Sequence, residues 1–326
     1  MESLSQKKIE LYVDRPFGVR FNAAIDFIKL HIRVLLKILA CFILPICVID
    51  ATFINTLVNR ITVARDLSAL DVVFILLLLL LLVVSSVISL AITFGLFKAY
   101  EDNPEGARRM TIKEFVPYLR GGIRRGIGLF FFLFFVYFVM MIIFVPMAFI
   151  PVIGSVISLL QYPISFAMSP VILIPVVYYL ENKGVIESTK RAFALGFKTF
   201  WSLVGMYIII EVLSSFVTVF ALVPYVIVIV MDIVALSKSF EPGTWGLVFV
   251  NFGMFVFGIL FVFVYHFIAI ITSYAAVYHY GYAVEHLEHV SVVADVENFE
   301  KMSDNSLDAP ESISKNLNDV DNFENL

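Results

Sequence analysis

The chain has 326 residues, of which 60% are hydrophobic and 15% charged, and its formal net charge is -4. Soluble domains run at roughly 45–50% apolar and about 25% charged, so a compact water-soluble fold of this size is excluded. The apolar residues are blocked into long uncharged runs that lipid accepts as solvent, and the expected class is an all-α integral membrane protein.

The acidity is local. Residues 285–326 hold 11 Asp and Glu against 2 Lys, a net of -9, which leaves residues 1–284 at +5. Three regions follow: a cytoplasmic N-terminal segment over 1–33 with an amphipathic helix, a membrane domain over 34–284, and an acidic cytoplasmic tail over 285–326. The tail lacks apolar periodicity and is expected to be disordered, with a basic protein as its candidate partner.

In chain order, the N-terminal stretch mixes charges up to Arg33 and lacks the apolar core of a cleaved signal peptide. Span one is expected over 34–54, with Lys37 and Asp50 reaching toward its two interfaces. Cys41 and Cys47 are six apart within it, on different helix faces, and read as packing thiols. Span two, 72–97, has 26 uncharged residues against the roughly 20 that a crossing requires. Its Ser85, Ser86, Ser89 and Thr93 suit a helix-packing face.

Between Arg125 and Glu181 lie 55 uncharged residues, too many for one crossing. A hairpin is expected, turning at Pro146, Pro151 and Gly154 and dividing span three (127–149) from span four (156–180). Pro163, Pro170 and Pro175 imply an interrupted fourth helix. Span five starts near Phe200 and reaches Pro224, after which the apolar stretch reads as a bent continuation or a re-entrant segment. Span six covers about 247–274 and carries on through a tyrosine-rich interface. Six transmembrane helices result.

Lys and Arg sort to one side. Seven occur up to Lys37, seven in Lys98–Arg125, four in Lys183–Lys198 and two in the tail, against Arg60, Arg65 and Lys238 opposite. The positive-inside rule then puts both termini in the cytoplasm of a bacterial cell, with the protein in the inner membrane. Before each odd-numbered span stands an amphipathic stretch: Phe21, Ile25, Ile28 and Ile32 in the first, then MTIKEFVPYLRGGIRRG and VIESTKRAFALGFKTFW. These are expected to lie as interfacial helices in the headgroup plane, so that the chain reads as three units of interfacial helix plus membrane hairpin.

The stretch from Glu181 through Gly184, Arg191, Ala192, Leu195 and Gly196 to Phe200 and Trp201 resembles uncharacterised bacterial polytopic membrane families. These are related to the membrane domain that is fused to glycerophosphodiester phosphodiesterases. The resemblance implies the membrane part only. A phosphodiesterase barrel needs roughly 250 further soluble residues, and the chain has no such segment.

Several polar residues invite chemistry. Glu211 stands eleven residues into span five, a depth near the bilayer midplane, and antiparallel spans allow it to meet His266. With Asp50 these form a candidate intramembrane polar site. GGIRRGIG, from Gly121 to Gly128, offers Arg124 and Arg125 among glycines whose amides could approach a phosphate. With Arg120, Lys190 and Arg191 they are the candidate contacts for anionic headgroups of membrane lipids. His279, His286 and His289 recur on one helix side, so a metal site can be drawn, although no zinc-enzyme motif fits. No nucleophile triad, nucleotide loop or nucleic-acid motif occurs, so neither catalysis, a cofactor nor nucleic-acid binding is expected. The leading reading is a non-enzymatic, membrane-organising component that binds lipid or a partner. Its rival is a transporter or lipid-handling permease working through Glu211.

Overall fold

A computed structural model describes residues 8–63, 68–148, 150, 159, 163–164, 166–236, 244–293 and 296. Every long element among them is a helix: α1 Phe17–Phe42, α2 Leu44–Val63, α3 Ala69–Asp102, the short α4 Pro104–Ala107, α5 Ile112–Ala148, α6 Leu173–Leu180, α7 Val185–Lys198, α8 Phe200–Leu236 and α9 Thr244–Glu288. A 3-10 turn, Ser169–Ile172, precedes α6. Among the described residues four helices are long and apolar enough to cross a bilayer, or five when the bent pair α1–α2 is one span. That is the build of a multi-pass membrane protein. Of the six expected spans, the fourth (156–180) is described at 159, 163–164 and 166–180, where the 3-10 turn and α6 form a short apolar stretch, Ser169–Leu180. Most of the acidic tail falls outside the described residues.

Local chemistry sets the starts. Ser68 and Asp71 form a reciprocal cap on α3: the Ser68 hydroxyl accepts from the Asp71 amide, and the Asp71 carboxylate accepts from the Ser68 amide. Thr111 and Glu114 do the same for α5, and the Thr111 amide and hydroxyl hold the Glu114 carboxyl below its ordinary range. Pro45 sits at the second position of α2, where it removes a donor and crowds the preceding turn, and the α1 and α2 axes bend by 49° there.

Two of the three expected interfacial helices are not separate elements. The first belongs to α1 and the second to α5, each continuous with its span. Only α7 stands apart, ended at Thr199. The cause is that nothing in either junction stops a helix: glycines 121, 122, 126 and 128 sit inside α5, where its hydrogen bonding is unbroken. Likewise α8 runs through Pro224 to Leu236, so the stretch after that proline is one more part of a 37-residue helix. The regional boundaries drawn at residues 33 and 285 both fall inside helices, α1 and α9.

Burial divides the bundle into two halves. Along α3 the side chains of Leu70 to Val84 are mostly exposed, then from Ser85 to Tyr100 mostly buried. Along α5 the switch comes after Leu129, beyond which Phe131 to Met147 are broadly exposed. Eight consecutive residues of α9, Tyr274–Gly281, are buried, which covers every face of two turns. Packed around them are Phe27 of α1, Phe97 and Tyr100 of α3, and the N-terminal segment, whose Leu11 carbonyl sits against Gly281 so closely that a Cβ there would lie 2.3 Å from the oxygen. The basal half is therefore a packed core, and the distal half an apolar belt.

Helix register follows from particular contacts. On α5, Gly122 meets Ala91 of α3 and Gly126 meets Val87, a small-residue crossing with a spacing of four. Tyr225 of α8 stacks on Phe261 of α9 with ring centroids 5.9 Å apart. The parallel helices α1 and α8 are aligned by the Phe17 ring against Gly205.

Candidate functional site

The three residues of the expected intramembrane site are dispersed. His266 is buried on α9, where its Nδ1 is 3.0 Å from the Ser89 hydroxyl of α3. Glu211 is exposed on α8 and makes no hydrogen bond with His266. With Phe17 beside Gly205, and Lys29 beside Ser214 and Val217 in one groove, Glu211 stands level with the charged half of α1 that holds Arg20, Asp26 and Lys29. Asp50 is fully buried on α2, and neither carboxylate oxygen has a hydrogen-bond partner. Cys47, one turn away, is a buried free thiol, and Cys41 an exposed one.

The arginines of GGIRRGIG divide. Arg125 is turned inward: it donates to the Asn182 side chain and the Tyr178 carbonyl, and its guanidinium lies 4.6 Å from the centre of the Tyr178 ring. It also lines a cavity of about 480 Å³ with Lys98, Glu101, Asp102, Tyr179 and Asn182. Arg120 and Arg124 are exposed. Gly122 and Gly126 serve helix packing, and the glycine amides are spent on the helix.

Glu181, Arg191 and the residues between them form the tightest polar node. Arg191 donates from Nε to Glu181 and pairs through Nη1 and Nη2 with both oxygens of Glu288, at 2.9 and 2.8 Å. Lys183 reaches Glu181 at 2.6 Å, and the Tyr280 hydroxyl donates to it at 2.9 Å. Burial pushes the Glu181 carboxyl up, but the bonds from Arg191, Lys183 and Tyr280 outweigh it and hold the group below its ordinary range. The Glu288 and Glu181 carboxylates raise Arg191 in turn, against its partial burial. Ala192 and Leu195 are buried behind the node, and Gly196 lies against Pro170, where a Cβ would come within 2.6 Å of the proline ring. The quoted motif thus ties α6, α7 and α9 together. Arg191, expected as a lipid contact, is occupied by protein carboxylates, whereas Lys190 on the same helix is exposed.

The three histidines take different partners. His286 donates to Asp14 at 3.0 Å, His289 follows the end of α9 with a left-handed φ of 50°, and His279 is buried between Arg20 and Thr199. Among the described residues no three His, Cys, Asp or Glu side chains could hold one metal ion. Arg20 is the residue that sequence reasoning missed. It stands beside the apolar positions of the first amphipathic stretch, and its partners His279 and Tyr282 lie some 260 residues away, beyond the reach of helical spacing.

Arg20 is 6% exposed. Its Nη1 donates to His279 Nδ1 at 3.2 Å, which requires the tautomer with the proton on Nε2, and that proton points to the Thr199 hydroxyl at 3.3 Å. Thr199 passes its own proton to the Leu195 carbonyl at 2.9 Å. The guanidinium lies over the Tyr282 ring at 3.8 Å and near Phe17 at 5.3 Å. No family model, curated protein or solved structure matches this chain.

Proposed function

We propose that the chain is a six-span, non-enzymatic protein of a bacterial inner membrane, with both termini cytoplasmic, whose basal half binds anionic lipid headgroups. One observation carries this. Arg33, Lys37, Arg120 and Arg124 are exposed and have no carboxylate partner among the described residues, and they stand level with α3 residues 89–94, next to where the packed core gives way to the apolar belt. In the same half Asp26 is paired with Lys29, Asp14 with His286, and Glu181 and Glu288 with Arg191. A ring of free cations at the edge of an apolar belt fits lipid phosphate. The positive-inside distribution and the motif resemblance support the same placement, with the fourth of the six spans drawn over 156–180.

A second reading is a proton-linked permease, favoured by the buried and unpaired Asp50. Extraction in native lipid particles separates the two. The wild type is expected to carry phosphatidylglycerol above its bulk fraction, and Arg33→Gln/Arg120→Gln/Arg124→Gln to lose most of that enrichment while keeping its helix content. Unchanged enrichment in the triple variant, together with a proton flux into proteoliposomes that Asp50→Asn abolishes, would replace the lipid reading with the permease.

A further inference from the structure

Arg20 is a buried cation that makes no ion pair among the described residues, and the Asp14 carboxylate acts on it only at longer range. A charge removed from water is costly unless an opposite charge or a full set of acceptors meets it. Among the described residues no carboxylate pairs with Arg20. His279 is neutral in the tautomer that accepts from it, the two rings supply only their π faces, and Nε has no partner. The side chain lines a cavity of about 260 Å³ between α1 and α8, with Phe17, Gly18, Asn22, Met206 and His279 among its walls.

Phe21 is also a wall of a second space, an apolar groove of about 310 Å³ where α1, α8 and α9 splay apart. Ile25, Ile210, Leu213, Ser214 and Ile271 line it. Along all three helices the groove lies deeper toward the apolar belt than the Arg20 cavity: residues 206 and 209 give way to 210–217 on α8, and His279 to 267–271 on α9. A pocket that holds an unpaired positive charge therefore stands above an apolar slot of about 10 Å. That is the polarity of a lipid standing in a leaflet, and a free anion would leave the groove unused.

We propose that Arg20 anchors one tightly held anionic phospholipid, its phosphate in the cavity that the guanidinium lines and an acyl chain lying in the α1/α8/α9 groove. The proposal rests on the basal half lying at the headgroup layer. It differs from the exposed ring of Arg33, Arg120 and Arg124 in being buried, single and insensitive to salt.

The test is thermal unfolding of the purified full chain in mild detergent with 0.5 M salt, titrated with phosphatidylglycerol, phosphatidylcholine or glycerol 3-phosphate. Phosphatidylglycerol is expected to raise Tm saturably, with one molecule per chain retained in native mass spectra, and the other two to leave Tm unchanged. Arg20→Gln should weaken the binding at least tenfold. Ser214→Trp, which plugs the groove and leaves Arg20 intact, should do the same, and it decides the matter if the first variant does not fold. Wild-type binding by Ser214→Trp overturns the proposal, and so does an equal shift with glycerol 3-phosphate. The triple variant of the exposed ring should retain this single lipid, so loss of surface enrichment and loss of the bound lipid are read separately.

Discussion

Glu181 is the carboxylate most heavily engaged by cations, and its protonation sets a pH dependence with a definite sign. Its folded pKa is held below the ordinary value of 4.5, so at pH just under that value the unfolded chain takes up a proton that the folded chain refuses. The stabilisation is complete above the unfolded value and is lost as pH falls through the folded one. Thermal melts in detergent from pH 7 to pH 4 should show Tm falling more steeply in the wild type than in Glu181→Gln. At pH 7 Arg191→Ala should cost about 2–3 kcal/mol, since it strands Glu181 half-buried beside Tyr280 and frees Glu288. Parallel pH curves for wild type and Glu181→Gln would remove Glu181 from that role. At this same scale the sequence was only partly readable. Glu181, Arg191, Ala192, Leu195 and Gly196 could be singled out as a pattern, because they lie within one turn-and-helix segment. Tyr280, Glu288 and the Arg20–His279 bond could not, because chain distance hides which face of a distant helix arrives opposite.

The packing of α3 on α5 turns on which glycines face the partner helix. A Cβ at Gly122 would stand 2.9 Å from the Ala91 Cα, a contact that backbone must yield to, whereas Gly121 has nothing within 4 Å. Gly122→Val is therefore expected to destabilise by about 1–3 kcal/mol through overpacking. Gly121→Ala should be neutral or stabilise by about 0.5–1 kcal/mol, since alanine loses less backbone entropy in a helix. Chemical unfolding of the two variants in mixed micelles checks the pair, and equal effects would mean that the crossing is not the constraint. The contrast explains why these glycines were misread as a phosphate cradle. A glycine's bare backbone suits an anion in a loop, but in a membrane helix it lets two backbones approach. Apolar length was legible for α3, α5, α8 and α9, because a run of uncharged residues has one solvent that suits it. Continuity was not, since the amphipathic stretches in α1 and α5 carry charges that read as separate interfacial helices and fold as one helix with the span.

The whole molecule is longer than a membrane is thick. Helices α8 and α9, at 37 and 45 residues, extend about 55 and 67 Å, against a hydrocarbon core of about 30 Å. The excess lies at the basal end, where Tyr274–Gly281 are enclosed by other helices and the basic residues gather. The arrangement accounts for Glu211: a carboxylate on an exposed face, level with Asp26 and Lys29, needs no buried partner. It also fixes what accessibility should reveal. In a background of Cys41→Ser and Cys47→Ala, Lys113→Cys at the basal end should react with an impermeant maleimide only after the inner membrane is opened. Ser68→Cys, at the exposed distal start of α3, should react in cells whose inner membrane is intact. Phe138→Cys, exposed within the apolar belt of α5, should resist the reagent in both states and be quenched by lipid-borne probes. Reaction of Ser68→Cys only after opening would invert the topology and turn the ring of Arg33, Arg120 and Arg124 to the outside. A Phe138→Cys that reacts from water would move the membrane off the apolar belt, and with it the headgroup layer on which both lipid sites depend.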